Sequence, residues 1–209
     1  MRSPSADQLL AELRLAIDDE RVLDALAAVP RDAFVPEEVR DRAWCNEPLP
    51  IGGGQTISQP LVVAHMCAVL DLHGDEYVLD VGTGSGWHAA ILARLARHVW
   101  SIERDPVLSR AAEANLRRAG VDNVTLLVGD GSQGVPAAAP FDAINAAAAG
   151  DESAFDELEL QLADGGRLVA PVHLDPIDAH QQLVLTVRDG GRIERRLLGP
   201  VSFVPLVRD

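Results

Sequence analysis

The chain has 209 residues, 47% of them apolar and 24% charged, which excludes a disordered or fibrous chain. Its formal net charge is −14 and all 18 basic residues are Arg, so general binding to phosphate backbones or anionic membranes is disfavoured electrostatically. Two cysteines, Cys45 and Cys67, make neither a disulfide framework nor a four-thiolate zinc site.

The first segment (MRSPSADQLLAEL) has no apolar run before its first acidic residue, as a secretory leader would. No run approaches the ~18 apolar residues of a membrane span. These features predict a soluble cytoplasmic protein. Leu9, Leu10, Leu13 and Ile17 fall at helical spacing and predict a helix over 6–17. A second helix is expected over 19–28, ending at Pro30, and a short third after Pro36. Residues 46–58 (NEPLPIGGGQTIS) read as a loop. Pro60 suits the first turn of a helix to about Leu70, with Ser58 or Gln59 near its cap.

From residue 77 the pattern alternates. Strands are predicted at 77–82, 98–103, 123–130, 141–146 and 166–172. Helices are predicted at 88–97, 106–120 (with Gly120 as its stop) and 152–163. A hairpin follows over 181–189 and 192–198, and 201–207 extends the sheet. The implied fold is α/β: a doubly wound, mostly parallel Rossmann-like sheet with helices on both faces. An N-terminal helical segment precedes it and a C-terminal antiparallel hairpin closes it. One domain covers 1–209, with residues 1–75 ahead of a core over 76–209.

The segment LDVGTGSGW (79–87) joins a buried strand to a helix, where doubly wound sheets bind ligands. Gly82, Gly84 and Gly86 permit a tight turn and close approach of a ligand. Their spacing departs from the dinucleotide pattern G-x-G-x-x-G, since Trp87 stands where that motif continues. No phosphate-loop lysine exists. The next strand ends in Glu103, which suits acceptance from two ribose hydroxyls. After the third strand, Asp130-Gly131 could meet an adenine amino group. The alternatives are a bare βα turn, a solvated Glu103, and turn chemistry at Asp130. Asp80 could cap its own glycine turn or contact a ligand amino group. Glycine turn, acidic strand tip and third-strand Asp together resemble the class I S-adenosylmethionine-dependent methyltransferases.

In PLPIGGGQTISQP (48–60), the three glycines could cradle a polar substrate with backbone N–H groups. Ser58 would face a substrate carboxylate near a helix N-terminus, or merely cap that helix. The chain resembles the protein-L-isoaspartate O-methyltransferase family along almost its whole length. The motifs are VLDALAAVPRDAFVP (22–36), PLPIGGGQTISQP (48–60), VLDVGTGSG (78–86), SIER (101–104), GDGSQG (129–134), APFDAI (139–144), QLADGGRLVAPV (161–172) and FVPL (203–206).

That resemblance implies an enzyme that uses S-adenosylmethionine to methylate the free carboxylate of isoaspartyl residues in damaged peptides and proteins. The ester then closes to a succinimide, which reopens partly to aspartate. It further implies that Ser58 is the active-site serine. Gln55, Thr56 and Ile57 belong to the loop over cofactor and substrate. Ser85, Glu103, Asp130 and Gly131 are cofactor contacts, with Gln181 near the adenosine. Gly82, Gly84, Gly86 and Asp80 complete the expected cofactor set. It places a substrate loop in 1–75 and cofactor binding in 76–209.

A carboxylate is ionised at neutral pH, with a reference pKa of about 4, so no general base is required. Catalysis reduces to positioning, and Ser58 is expected to orient the carboxylate rather than attack.

Trp87, Asn46, Asn145, Gly150 and His173 depart from the family pattern, and LDPIDA (174–179) adds two Asp. Placed around the substrate mouth, these departures would signal either drift or a changed substrate with an acidic rim that favours basic peptides. The six histidines show no paired metal spacing, so no metal is expected. Cys45 and Cys67 read as buried filler. The competing readings are methylation of a normal Asp in one dedicated peptide, a small-molecule O-methyltransferase, and a non-catalytic cofactor-binding module. A monomer is expected.

Overall fold

The computed structural model describes residues 4–174 and 180–208. Helix α1 (Ala6–Leu13) opens with a capping box, Ser5 and Gln8 exchanging side-chain and backbone bonds. It stops four residues short of the expected end, and Asp19 caps a new helix, α2 (Glu20–Ala28). Two 3₁₀ turns follow at Arg31–Phe34 and Glu37–Arg42. The expected loop at 46–58 is a hairpin of β1 (Leu49–Gly52) and β2 (Gln55–Ile57). Gly52, Gly53 and Gly54 have φ of 96°, 59° and 73°, so its reversal rests on a glycine run. Helix α3 (Pro60–Leu70) then leads to the sheet.

Strands β3 (Tyr77–Val81), β4 (His98–Glu103) and β5 (Val124–Val128) alternate with α4 (Trp87–Leu95) and α5 (Pro106–Arg118). Gly120, at φ 69°, ends α5 as its sequence signals, and the Val121 N–H reaches back to the Leu116 carbonyl. Next come β6 (Phe141–Ala146), the two-residue β7 (Gly150–Asp151), a 3₁₀ turn and the short α6 (Asp156–Leu160). Strand β8 (Leu162–His173) starts four residues earlier than predicted. Its register against β6 shifts between Leu162 and Arg167, so Gly165-Gly166 lies in an irregular stretch of the strand rather than at its start. β9 (Gln181–Asp189) and β10 (Arg192–Val201) form the predicted hairpin.

The sheet order is β10-β9-β8-β6-β3-β4-β5, with β7 beside β8. Pairs from β5 through β8 are parallel, and the last two are antiparallel. Alternating side chains feed two cores. Val78, Val99, Ala143 and Val169 face α2, α3 and α4, while Leu79, Ile144 and Leu168 pack with Phe155 and Leu158. Beyond Val201, which ends β10, residues 202–207 do not extend the sheet. Only Pro205 bridges, to Ala149, because a proline cannot donate to a ladder. The chain order reverses between β3 and β6, and a crevice opens at their C-terminal ends.

Candidate active site

The crevice encloses about 820 Å³, part of it open to solvent. Its floor is the glycine turn after β3, and its roof is Gln55–Ser58. Val204–Val207 form one wall, and Glu103 also lines the crevice.

Gly82, Gly84 and Gly86 take φ of 93°, 54° and 87°, values that exclude other residues without strain. The turn's amides are largely used internally. Gly82 and Thr83 donate to the Ile102 carbonyl (2.9 and 3.4 Å), Gly84 to Glu103 Oε2 (2.9 Å) and Gly86 to the Thr83 carbonyl (2.8 Å). Such a turn is a smooth floor, not an amide nest for phosphate. Glu103 beside it would repel a phosphate further. Glu103 is 7% exposed, and Oε1 also accepts from the Asp105 N–H (3.0 Å). Each oxygen keeps a lone pair for a hydroxyl. At Gly131 a Cβ would lie 2.6 Å from Val81 Cγ1, so only glycine lets the chain pass there. Two free hydroxyl-binding positions, a bare backbone floor and an apolar wall of Ile57, Val63, Ile102 and Leu206 fit a nucleoside joined to an uncharged or cationic chain.

Gln55, Thr56, Ile57, Ser58, Gly82, Gly84, Ser85, Glu103 and Gly131 all line the crevice. Asp80, Gly86, Asp130 and Gln181 are absent from that lining. Asp130 Oδ1 caps the turn at Gly131–Gln133, accepting from the Ser132 amide (2.9 Å) and hydroxyl (2.8 Å). Gln181 clamps the backbone of Phe203: its Nε2 donates to the carbonyl (3.0 Å) and its Oε1 accepts from the N–H (2.6 Å). It thereby holds the tail whose next four residues form the wall. Ala149 adds two bonds, to the Val204 carbonyl and from the Leu206 N–H.

Asp80 neither caps the turn nor reaches the crevice. It is fully buried, and its carboxylate accepts from Ser101 Oγ (2.7 Å) and Asn145 Nδ2 (2.7 Å). Thr83 Oγ1 lies 2.6 Å from Ser101 Oγ, which ties this pair to the turn above. Burial pushes Asp80 up to about 6, against the pull of its two donors. Asn145 Nδ2 also meets His88 Nδ1 (3.3 Å), and His88 Nε2 meets Cys67 Sγ (3.4 Å). Burial drives His88 down to about 3, so it is neutral. An amide NH₂ only donates, so Nδ1 accepts and Nε2 carries the proton toward Cys67. Asn145 Oδ1 is left without a partner. Flipping the amide would set that oxygen against the Asp80 carboxylate.

The glycine run is not a cradle. Its middle member, Gly53, packs over Asp105 and Leu108, and the crevice lining includes none of the three. Ser58 does not cap α3 either. The N-cap is Gln59, without a side-chain bond, and Asn46 Oδ1 takes the Leu61 amide (3.0 Å). Of the departures expected at a substrate mouth, Trp87 lines the crevice, and the next three have other places. Asn145 is fully buried, Asn46 braces α3, and a Cβ at Gly150 would lie 2.4 Å from that of Ala154. His173 ends β8, opposite Gln181. Of LDPIDA, residues 175–179 lie outside the described residues. Among the described residues no cluster of three potential metal ligands occurs.

Thr83, His88, Ala147, Ala148 and the 204–207 wall were not assigned from sequence. Small, apolar or singly placed, they carry no chemical signature of their own.

Residues 5–209 match the family described as protein-L-isoaspartate(D-aspartate) O-methyltransferase. The chain belongs to that family. It is 49% identical to the protein-L-isoaspartate O-methyltransferase of Methanoculleus marisnigri, over 91% of this chain and 85% of that one. It is 50% identical to that of Methylorubrum populi, over 96% and 92%. A solved protein-L-isoaspartate O-methyltransferase superposes with a TM-score of 0.85 at 25% identity, over 96% of this chain and 65% of that one. A Plasmodium falciparum structure named for a β-aspartate methyltransferase, in complex with S-adenosyl-L-homocysteine, gives 0.83 at 25% identity, over 99% and 100%. Among the described residues no helix is long and apolar enough to cross a membrane.

Proposed function

We infer that this chain methylates the free carboxylate of L-isoaspartyl residues in damaged proteins and peptides, using S-adenosylmethionine, and so starts their return to aspartate through a succinimide. The observation that carries this reading is Ser58, which lines the same crevice as Glu103 and leaves the Leu61 amide of α3 to Asn46. Glu103 would accept the ribose hydroxyls. The glycine turn and Gly131 would let the rest of the nucleoside lie against backbone. Asp80, Asp130 and Gln181 hold the floor, the turn beyond β5 and the tail wall. When bound, the cofactor supplies an electrophilic methyl group on a sulfonium.

The chain's own part is positional. Ser58 would donate a hydrogen bond to one oxygen of the substrate carboxylate and leave the other free to react. Ile57, Val63, Trp87 and Leu206 exclude water that would compete for the methyl group or screen the charge. The acceptor is already ionised, so no side chain need take a proton.

The reading of a dedicated normal-Asp substrate drew its force from departures at the mouth. Three of the four departures outside the turn now have structural work. We further propose a cytoplasmic monomer without nucleic-acid or membrane partners. Its charge of −14 supports that reading.

Matched peptides differing only in Asp or isoAsp, with labelled S-adenosylmethionine, test the substrate. Transfer to isoAsp alone is expected, and transfer to neither with cofactor bound would refute the reading. Ser58→Ala should lower kcat at least tenfold and leave S-adenosylhomocysteine affinity within twofold. Equal loss of both would refute an orienting role.

A further inference from the structure

Arg31 opens the 3₁₀ turn after α2, and its side chain is fully buried. Its guanidinium makes four hydrogen bonds, each to a main-chain carbonyl. Nη1 reaches Ala43 (2.8 Å) and Cys45 (3.2 Å), and Nη2 reaches Glu47 (2.8 Å) and Ser58 (3.0 Å). Its Nε has no partner. Burial lowers it only to about 10, so it is cationic at neutral pH. Its face rests 5.2 Å from the ring centroid of Trp87, which starts α4, lines the crevice and donates its indole N–H to the Val29 carbonyl (3.1 Å).

The four carbonyls fall into two groups. Ala43, Cys45 and Glu47 lead into the β1–β2 hairpin, and Ser58 leaves it. One planar fork therefore ties both feet of the crevice roof, while its face sits on the helix that follows the glycine turn. Cations this deeply buried are rare without a carboxylate partner, and carbonyl oxygens are the acceptors that remain. A lysine ammonium has three donors on one point and cannot span four carbonyls on two strands of chain.

We propose that Arg31 is a positioning residue for methyl transfer, holding Ser58 at the fixed distance from the cofactor turn that in-line attack requires. This rests on the reading of Ser58 as the carboxylate orienter. A one-ångström error in placing a reacting oxygen can cost about a hundredfold in rate. A foot of the roof free to shift by that much would be costly even with Ser58 present.

The test is a double-mutant cycle of Arg31→Lys and Ser58→Ala, reading kcat/KM on an isoaspartyl peptide and Kd for S-adenosylhomocysteine by calorimetry. Alone, Arg31→Lys should lower kcat/KM about tenfold, mostly in kcat, with Kd within twofold. In the Ser58→Ala background it should lower kcat/KM less than twofold, because there is no hydroxyl left to misplace. A full tenfold loss in that background, or equal loss of cofactor affinity, overturns the proposal and leaves Arg31 a general staple. A Ser58→Ala enzyme with normal turnover overturns the Ser58 reading itself and this proposal with it.

Should Arg31→Lys fail to fold, hydrogen exchange on the unaltered chain decides. The hydrogen-bonded amides at the open end of the β1–β2 hairpin, beside the tied carbonyls of Glu47 and Ser58, should exchange as slowly as those of α4 without peptide, and gain nothing when peptide is added. Fast exchange that slows only with peptide would show that no anchor is preformed, and would overturn the proposal.

Discussion

Asp80 and His88 share the Nδ2 of Asn145, and their protonation should pull stability in opposite directions. Asp80 is raised from 3.8 to about 6. The native state therefore binds the proton more tightly than the unfolded chain. The stability tied to it is complete below pH 3.8 and lost as pH rises toward 6. His88 is lowered from 6.5 to about 3. Its stability is complete above pH 6.5 and lost as pH falls through that window. Each slope is about 1.4 kcal/mol per pH unit. Between pH 6 and 4 the two slopes offset each other, each worth about 3 kcal/mol over that window.

Unfolding by urea at pH 4, 5 and 6 resolves this with two variants. Asp80→Asn removes the acid-stabilising group, so relative to wild type it should lose about 3 kcal/mol on going from pH 6 to pH 4. His88→Gln removes the acid-destabilising group and should gain about the same. The many surface carboxylates are common to all three proteins and drop out of the differences. Parallel pH profiles for the three would refute the buried network as drawn.

Glu103→Gln should weaken S-adenosylhomocysteine binding about tenfold or more, since a charge-assisted hydrogen bond is worth about 1.5–3 kcal/mol; calorimetry within twofold of wild type would remove Glu103 from the cofactor site. Gln181→Leu should release the tail, visible as faster hydrogen exchange at Phe203 with a raised peptide KM, and unchanged exchange there would show that the clamp is not what holds the wall. Asn46→Ala should cost about 1 kcal/mol of stability through the lost α3 cap, measured by urea unfolding, and a neutral change would hand the capping role back to another group.

The sheet and its crossovers were legible because each rests on local pattern. An apolar run stopped by glycine can hardly be other than a buried strand, and Gly120 marks the end of α5 by its left-handed φ alone. The crevice-facing part of the turn and Glu103 were legible for the same reason, since both sit at strand ends whose place the topology dictates. What stayed hidden depends on partners far along the chain. The glycine run could be a cradle or a hairpin tip until β1 and β2 were seen to pair across it. Ser58 could be read as the cap of α3 until Asn46, in a different loop, was found holding the amide of Leu61. Gln181 carries no sign that its amide closes on Phe203, because a side chain that mimics a peptide unit can pair with any backbone brought beside it. Arg31 lies in a motif legible as a family mark, yet nothing local says that its charge is buried or which carbonyls it gathers. Four acceptors spread from Ala43 to Ser58 meet one guanidinium only once the roof has folded over α4, and so the residue that ties both feet of that roof is among those its own neighbourhood describes least.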